Sequence, residues 1–508
     1  MKNKRLASNM IANLVAFAVN MLVSFFLSPY IVGNLGSEAY GFVSLINNMV
    51  SMSQIVTIAF NSMGSRFITI AIHKGEEEKA QKYFSSLFYA NVFMSVLILL
   101  FFAIVALNVT AIFDVPSRLV GDVRLSFVVM AIAFSLSLIF SVYSVSTYAT
   151  NRLDLSAWRE MTKQFVRAGV IFLLFALFTA NIVFVAVGSL VMEIYFMLAN
   201  HRLMRKLLPT YRVKRRNFSF AALKELTLSG IWNSIGRLSY VLLSDLDLMV
   251  ANIFISATAM GVLSISKTIP SAINSLVVTI VSIFLPTLTI RYAKLDINGL
   301  LQEMHKAIKI VGVCIAPILC FLVAYGKDFY MLWQPTQDAE VLQVLSILAI
   351  LPVYFTLGMK SVNNIFSITN RLLLPTIVTL ITSVVTISLE FVLLKYTSLG
   401  IFAIAATSSV CLLIKEISFI PLYAAKCLGV RWYTFYPQLM KEIFVVAFSI
   451  IISLALHSVL SATSWLTLIL YGGLSMLIVM LFNIVATLKK QDYIAISGKI
   501  RRIVKRAE

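Results

Sequence analysis

Long apolar stretches alternate with short polar connections along the whole chain. Each stretch is about twenty residues or longer, enough to cross a hydrocarbon core of roughly 30 Å as an α-helix. The stretches lack the strict alternation of apolar and polar residues found in lipid-facing strands. The pattern therefore predicts an all-α membrane protein of about fourteen transmembrane helices, at residues 10–32, 40–72, 83–107, 124–147, 162–180, 182–204, 226–253, 260–290, 307–325, 338–359, 374–395, 400–425, 442–460 and 465–488.

Composition agrees with this prediction. The 508 residues are 60% hydrophobic and 13% charged, with a mean hydropathy of +0.92, far above that of an average soluble domain. Lys2, Lys4 and Arg5 precede the first apolar stretch, as in a signal peptide. The stretch is too long for a signal peptide and no small-residue cleavage site follows it, so we expect an uncleaved first helix.

The distribution of basic residues predicts the orientation in the membrane. Loops on the side shared with the N-terminus are rich in Lys and Arg, above all the segment 202–224. The opposite loops contain only Arg118, Arg124, Lys327 and Lys395. The positive-inside rule then places both termini in the cytoplasm, as an even helix count requires. The net charge of +20 thus reflects topology and attraction to lipid headgroups, and no nucleic-acid partner is expected.

The chain also repeats itself. Thr150-Asn151-Arg152-Leu153 recurs as Thr369-Asn370-Arg371-Leu372, 219 positions later. At an offset of 220, Gly41 falls on Gly261 and Ser44 on Ser264, among other matches. A collinear repeat in a membrane protein is typical of transporters whose two halves move about a central site.

The repeat predicts two six-helix lobes related by a pseudo-two-fold axis along the membrane normal, followed by two additional helices. Residues 205–225 are the longest connection, contain Pro209 and several basic residues, and directly precede the restart of the repeat. The predicted domains are an N-terminal lobe at 1–204, a basic cytoplasmic linker at 205–225, a C-terminal lobe at 226–425, and helices 13–14 with a basic cytoplasmic tail at 426–508.

Several short motifs resemble those of a known family. They are the turn Gly36-Ser-Glu-Ala-Tyr-Gly41, its counterpart Ala259-Met-Gly261 with Ser264-Ile-Ser-Lys267, and the segment Gly326 to Trp333. The chain resembles Wzx-type oligosaccharide flippases of the multidrug/oligosaccharidyl-lipid/polysaccharide (MOP) exporter superfamily. The resemblance covers nearly the whole chain.

The resemblance implies a multi-pass protein of a bacterial cytoplasmic membrane, with a V-shaped cavity between the lobes and transport by alternating access. It also implies an undecaprenyl-diphosphate-linked oligosaccharide as substrate, destined for O-antigen, capsule or exopolysaccharide. We further expect contacts with membrane lipids, a coupling ion (H⁺ or Na⁺) and a polysaccharide polymerase as a partner. The alternative on the same scaffold is a cation-coupled multidrug exporter.

Charged residues inside apolar spans are costly and therefore indicate candidate functional sites. A diphosphate headgroup needs cations, and the fork of Arg donors matches phosphate oxygens. The candidates for headgroup binding are Arg237, Lys267, Lys415 and Arg66. The candidates for ion coupling or charge pairing are Asp245, Asp247, Glu193 and Glu416. For Arg66 the alternative is a side chain that only extends to the interface from a helix end.

The seventh span carries three of these charges. Arg237 and Asp245 are eight residues apart, which places them on neighbouring faces of a regular helix and predicts that they do not pair directly. Asp247 and Lys267 lie at similar distances from an outer turn and could pair across the hairpin. Such a pair either locks two helices together or breaks and re-forms during transport.

Arg152 and Arg371 are equivalent residues of the repeat on the cytoplasmic side. We expect them to flank one cytoplasmic mouth, where they either guide the diphosphate or only cap helix ends and contact headgroups.

No catalytic site, metal site or cofactor is expected. The four cysteines have no C-x-x-C spacing, and no nucleophile–base pair or phosphate-binding glycine loop occurs. Asp245-Leu-Asp247 resembles a metal-binding D-x-D motif, but it lies inside an apolar span. A drug exporter would need an acidic ion site in its first lobe, where the spans offer only Glu193. A non-transporting scaffold or a polymerase is disfavoured by the repeat, and the outer loops are too short for a polymerase.

Overall fold

The computed structural model describes residues 2–487, which form helices and connecting turns without a β-strand. The last residue of the final predicted span and the predicted basic tail lie outside this range. The main helices are α1 (Lys2–His73), α2 (Glu77–Leu107), α3 (Val120–Phe140), α4 (Leu153–Leu177), α5 (Ile182–Leu207), α6 (Phe220–Tyr240), α7 (Asp247–Phe254), α8 (Ala257–Ser266), α9 (Thr268–Ser282), α10 (Leu285–Ala293), α11 (Ile297–Trp333), α12 (Ala339–Thr356), α13 (Leu373–Tyr396), α14 (Ile401–Leu428), α15 (Tyr436–Val459) and α16 (Gly473–Thr487).

Shorter elements connect these helices. The 3₁₀ segments are Ser117–Leu119, Ser141–Ser144, Arg215–Asn217 and Gly358–Asn363. The short α-helical turns are Val109–Ile112, Val145–Ala149, Asn364–Ile368 and Trp465–Thr467. The π-helical turns are Val241–Asp245 and Leu468–Gly472.

Every predicted span coincides with helical structure over most of its described length, with ends that differ by up to a few residues, so the predicted all-α fold class is confirmed. Within residues 2–487, eleven helical segments are long and apolar enough to cross a membrane. The first of them, α1, contains two predicted spans, because Gly36 has φ 84° and ψ 167° and interrupts the helix. Two predicted spans, at α4 and at α6–α7, are not among these eleven segments, because charged and other polar residues interrupt their apolar sequence.

The repeat is visible in the backbone. α3 passes into the 3₁₀ segment Ser141–Ser144, and α12 passes into the 3₁₀ segment Gly358–Asn363. An offset of 219 places the second segment on residues 139–144. Both copies therefore break the helix at the same point before its last turn. The superposition of complete lobes stays a prediction.

The repeated Thr-Asn-Arg-Leu sequence forms the same turn twice. Asn151 and Asn370 have φ of 52° and 54°, in the left-handed region that asparagine tolerates better than most residues. The next N–H, of Arg152 or Arg371, donates to the carbonyl oxygen five positions earlier, at 2.8 and 2.9 Å respectively. This is the capping pattern of a helix C-terminus. The identity of the two sequences thus has a local structural cause.

Contacts between helices divide the chain into two units, one ending at Ile265 and the other beginning at Ser266. The prediction puts the boundary between lobes at 205–225 instead. The first unit extends further because α6 packs along α1, where Leu226 is fully buried in a cluster with Phe60 and Phe84. The lobes inferred from the repeat stay a prediction.

The second unit has its own core. Leu300, Met304 and Ile308 of α11 pack with Val362 of the 3₁₀ segment and Leu439 of α15. The surface of α13, by contrast, is largely apolar and exposed, as a lipid-facing helix requires. The second unit therefore combines a packed interior with a face suited to the bilayer.

Candidate functional site

In the first unit, equivalent residues of the repeat contact each other. A Cβ atom added to Gly41 would lie 2.9 Å from the Cα atom of Gly261, so only glycines allow α1 and α8 to cross this closely. Three residues further along, the Ser44 and Ser264 hydroxyl oxygens are 2.5 Å apart. Each pair is separated by 220 positions, the offset of the repeat. Contacts between equivalent residues are expected across a local two-fold axis.

Polar contacts reinforce this crossing near Gly36. The Glu38 carboxylate accepts hydrogen bonds from Arg118 Nη2 at 2.6 Å and from Thr258 Oγ1 at 2.9 Å. The Asp114 N–H donates to Asn252 Oδ1 at 2.9 Å, and Asn252 Nδ2 donates to the Asp114 carbonyl at 3.1 Å. The predicted orientation assigns this end to the outer side of the membrane.

We call the residues that join the two helices directly the α1–α8 contact. They are Glu38, Gly41, Ser44, Thr258, Gly261 and Ser264.

Arg237 lies deeper in the same unit, at the centre of a polar cluster. Its Nη2 donates to Asp245 Oδ2 at 2.9 Å and to the Ser51 hydroxyl of α1, and the guanidinium lies 4.9 Å from the ring centroid of Tyr240. Asn48 of α1 donates to the Asp245 carbonyl at 3.1 Å. The Nε of Arg237 is buried and has no hydrogen-bond partner. The site therefore holds a cation that retains one unused donor.

The prediction that Arg237 and Asp245 do not pair directly is wrong. Eight residues of a regular α-helix differ in direction by roughly 80°. Residues Val241–Asp245 instead form a π-helical turn, closed by the Leu246 N–H to the Val241 carbonyl at 3.2 Å. The extra residue in that turn reduces the difference to roughly 20° and brings both side chains onto one face.

A cavity of about 400 Å³ is present elsewhere in the first unit, along α4 and α5. Arg159, Arg202 and Lys206 line it, together with Tyr195 and apolar residues, and no acidic side chain does so. Arg159 Nη1 donates at 2.9 Å to Asn200 Oδ1, and Asn200 is buried. Three cations beside an apolar wall suit an anionic lipid headgroup. We call this the basic cavity.

The second unit contains buried charges at the break after α12. The Glu416 carboxylate accepts hydrogen bonds from Thr356 Oγ1, at 2.5 Å, and from Lys360 Nζ. Its neighbour Lys415 is partly buried, and its Nζ lies 3.4 Å from Thr379 Oγ1. Glu416 is thus held by an ion pair within this unit.

The chain is similar in sequence to known proteins. The polysaccharide biosynthesis protein family matches residues 35–332, more than half of the chain. The chain belongs to this family. It is also 28% identical over 472 residues to the uncharacterized membrane protein EpsK of Bacillus subtilis (strain 168), which covers 91% of this chain and 92% of EpsK.

Solved structures agree on the fold. The lipid II flippase MurJ, in an inward closed conformation, has a TM-score of 0.69 at 13% identity and covers 94% of this chain and 98% of its own. An inward-facing multidrug resistance MATE transporter of the MOP superfamily has a TM-score of 0.63 at 15% identity, covering 82% and 98%. The expected fold is confirmed: this member of the polysaccharide biosynthesis family is a multi-pass membrane protein with the fold of these transporters.

The remaining predicted site residues of this family member have varied surroundings. Arg66 is exposed on α1, whereas Asp247 at the start of α7 is 3% exposed. Glu193 on α5 has a buried carboxylate oxygen without a hydrogen-bond partner. Lys267 directly precedes α9 in the second unit. The pairing of Asp247 with Lys267 and the roles of all these residues stay predictions.

The two equivalent arginines differ in their contacts. Arg152 forms an ion pair with Asp154 at 3.0 Å, and this hydrogen bond lowers the pKa of the Asp154 carboxyl group. Arg371 is exposed, and the repeat places Leu373 where the first copy has Asp154. The shared sequence is explained by the turn, and a common mouth remains a prediction.

Four polar residues of these sites were not predicted from the sequence: Asn48, Ser51, Lys360 and Glu442. The first two are uncharged and common in helices, so they give no signal. Lys360 and Glu442 fell at the predicted ends of spans. Pro437 at the first turn of α15 could have shown that this helix starts before Glu442.

Proposed function

We propose that the protein moves a polyprenyl-diphosphate-linked oligosaccharide across the cytoplasmic membrane by alternating access. The observation that carries this proposal is the close α1–α8 contact between equivalent residues of the repeat, with the Arg237 cluster below it. Membership of the polysaccharide biosynthesis family and the fold shared with MurJ support it. Both termini are cytoplasmic in this proposal.

The α1–α8 contact acts as the closed outer side of the transport path. Its two helices meet through glycines and hydroxyl groups, so they separate without leaving a buried charge at the crossing itself. Glu38 exchanges its partners for water when the α1–α8 contact opens, because its ion pair with Arg118 is already partly exposed to solvent. Such contacts suit a surface that closes and opens repeatedly.

Arg237 receives the diphosphate in this scheme. Inside an apolar bundle, a diphosphate needs charge-assisted hydrogen bonds. The unused Nε of Arg237 supplies one, and Asp245 holds the guanidinium until the phosphate competes for it. Lys267, Lys415 and Arg66 are further proposed contacts of the headgroup.

The basic cavity provides the first contact with the substrate. Its cations lie near the start of α4 and at the end of α5, on the side that the positive-inside rule assigns to the cytoplasm. Arg152 and Arg371 guide the diphosphate at the cytoplasmic mouth in the same proposal. A coupling ion uses Asp245, Asp247, Glu193 or Glu416.

Flipping of a fluorescent polyprenyl-diphosphate oligosaccharide by the purified protein in liposomes tests the proposal. Arg237→Gln removes charge-assisted hydrogen bonds worth about 1.5–3 kcal/mol. Flipping should therefore slow by roughly 10- to 150-fold. Arg215→Gln is the matched control, because Arg215 is an exposed arginine of the connection between α5 and α6.

Equal flipping rates for wild type, Arg237→Gln and Arg215→Gln would show that Arg237 does not bind the headgroup. A protein that does not flip the labelled lipid but accumulates cationic drugs inside the liposomes would favour the multidrug exporter. A double variant, Arg159→Gln with Arg202→Gln, should lower the apparent affinity for the lipid more than Arg215→Gln does, if the basic cavity receives the substrate.

A further inference from the structure

The break after α12 brings a backbone donor to a buried carboxyl group of α15. α12 ends at Thr356, and the chain continues as the 3₁₀ segment Gly358–Asn363. The Gly358 N–H donates to Glu442 Oε2 at 3.1 Å. A carboxyl group that contacts a broken helix in a membrane protein is a candidate ion-binding group.

Glu442 has little else to stabilise a negative charge. The residue is 5% exposed, and its second carboxyl oxygen, Oε1, is buried without a hydrogen-bond partner. α15 begins at Tyr436, so the carboxyl group lies more than one turn inside the helix, beyond easy reach of water. The side-chain amide of Gln438, one turn earlier on α15, is a neutral group as well. An ionised carboxylate with only neutral donors in such surroundings costs far more than the protonated acid. The arrangement favours the neutral form.

Gly358 is required for this approach. A Cβ atom at position 358 would collide with both carboxyl oxygens of Glu442 and with the side chain of Ile308 on α11. The fold therefore reserves the space beside Gly358 for the carboxyl group.

Titratable groups on the neighbouring elements have other positions or partners. Lys360 pairs with Glu416, Lys306 with Glu303, Lys327 with Glu340, and His457 with Asp328. The other charged or titratable side chains on α15 and on the elements packed against it within residues 2–487 are His305, Lys309, Cys314, Cys320, Tyr325, Tyr330, Tyr354, Cys411, Lys415, Tyr423, Lys426, Cys427, Tyr436 and Lys441. Lys309 and His305 lie within one turn of Ile308 and are therefore the nearest along α11.

The repeat supplies an internal comparison. An offset of 219 places Lys360 on Ser141, in the equivalent 3₁₀ segment of the first unit. That segment contacts a neutral cluster, in which the Asn61 and Asn91 side-chain amides exchange hydrogen bonds at 2.8 and 3.1 Å. Glu442 has no equivalent, because α15 lies outside the repeat. The first copy thus forms the same helix break without charged residues. The break itself does not require Lys360 and Glu442, so these charges serve a further purpose.

We propose that Glu442 is a proton-binding site. A proton from water attaches to its Oε1 in the conformation described and is released when α12 and α15 separate enough to admit water or a cation. Combined with the proposed transport function, on which this last step rests, the site couples proton movement to the transport cycle.

Infrared spectroscopy of the purified wild-type protein in liposomes tests proton binding without any transport. A protonated buried carboxyl group gives a carbonyl stretching band that disappears on ionisation. A pH titration of the wild-type protein should reveal such a band. The part of the band that comes from Glu442 should be absent from the spectrum of Glu442→Gln. Glu340→Gln is the matched control, because Glu340 is an exposed glutamate of the same unit and should leave the band unchanged.

Gly358→Ala provides a second variant that keeps the carboxyl group but removes its space. The band should shift or be lost in this variant, while the thermal unfolding temperature confirms that the protein is folded. Identical bands in wild type, Glu442→Gln and Gly358→Ala would overturn the proposal.

Flipping assays then separate the two proposals. If the protein flips the labelled lipid, an imposed proton gradient should change the wild-type rate and leave the rate of Glu442→Gln unaffected. A Glu442→Gln protein that responds to the gradient like wild type would refute coupling at this site. An absence of flipping in every protein, with the Glu442 band present, would contradict the transport function alone.

Discussion

Gly261→Ala tests the proposed outer closure at its tightest point. The added methyl group would collide with the Ser37 carbonyl group of α1 and lie 3.1 Å from the Glu38 nitrogen. All of these are backbone atoms, which cannot rotate aside. The variant can keep its fold only if α1 and α8 move apart at the crossing.

The size of the effect follows from this geometry. Forcing one extra carbon into a packed contact costs about 1–3 kcal/mol. If the cost falls on the closed form alone, the equilibrium shifts toward separated helices by roughly 5- to 150-fold. Gly121→Ala is the matched control, because a Cβ atom at Gly121 on α3 of the same unit meets nothing within 4 Å.

Accessibility of a cysteine at position 44 reports the shift. The four native cysteines are first replaced, and Ser44→Cys is then alkylated by a thiol reagent supplied to either side of the membrane. Gly261→Ala should speed alkylation by roughly the factor above, and Gly121→Ala should not. Equal alkylation rates in the two folded variants would refute the idea that the glycine crossing keeps this side closed.

Two further predictions address the same unit and the repeated turn. Ser44→Cys with Ser264→Cys should form a disulfide on mild oxidation, because the two hydroxyl oxygens are 2.5 Å apart; flipping should stop and resume after reduction, whereas a cross-linked protein with an unchanged rate would contradict alternating access through this contact. Asn370→Ala should lower stability by about 1–2 kcal/mol because of the left-handed backbone at this position. Asn370→Gly should be tolerated, and equal thermal unfolding temperatures for the two variants would contradict the explanation of the repeated turn.

The sequence predicts those features that depend on local patterns. Hydropathy located all eleven helical segments of residues 2–487 that are long and apolar enough to cross a membrane, because such a helix must satisfy its own backbone and face lipid along its length. The pairing of Arg237 with Asp245 was missed, because it depends on a π-helical turn that a 3.6-residue period does not reveal. Glu442 was missed because an apolar window locates a helix end only to within a few residues, and the true start at Tyr436 places the carboxyl group inside the helix.

The repeat helps to distinguish residues that both copies need for the fold from residues that serve a function in one copy only. Asn151 and Asn370 are identical because both end a helix in the same left-handed turn. The left-handed turn does not explain positions at which the copies differ. Lys360 stands where the first copy has Ser141, at the same helix break, and Glu442 belongs to a helix outside the repeat. Binding of a coupling ion or of a charged headgroup needs charged residues that the repeated backbone itself does not require. Functional residues of this protein should therefore be sought first where the two copies differ, and the proton site at Glu442 is the sharpest test of that argument.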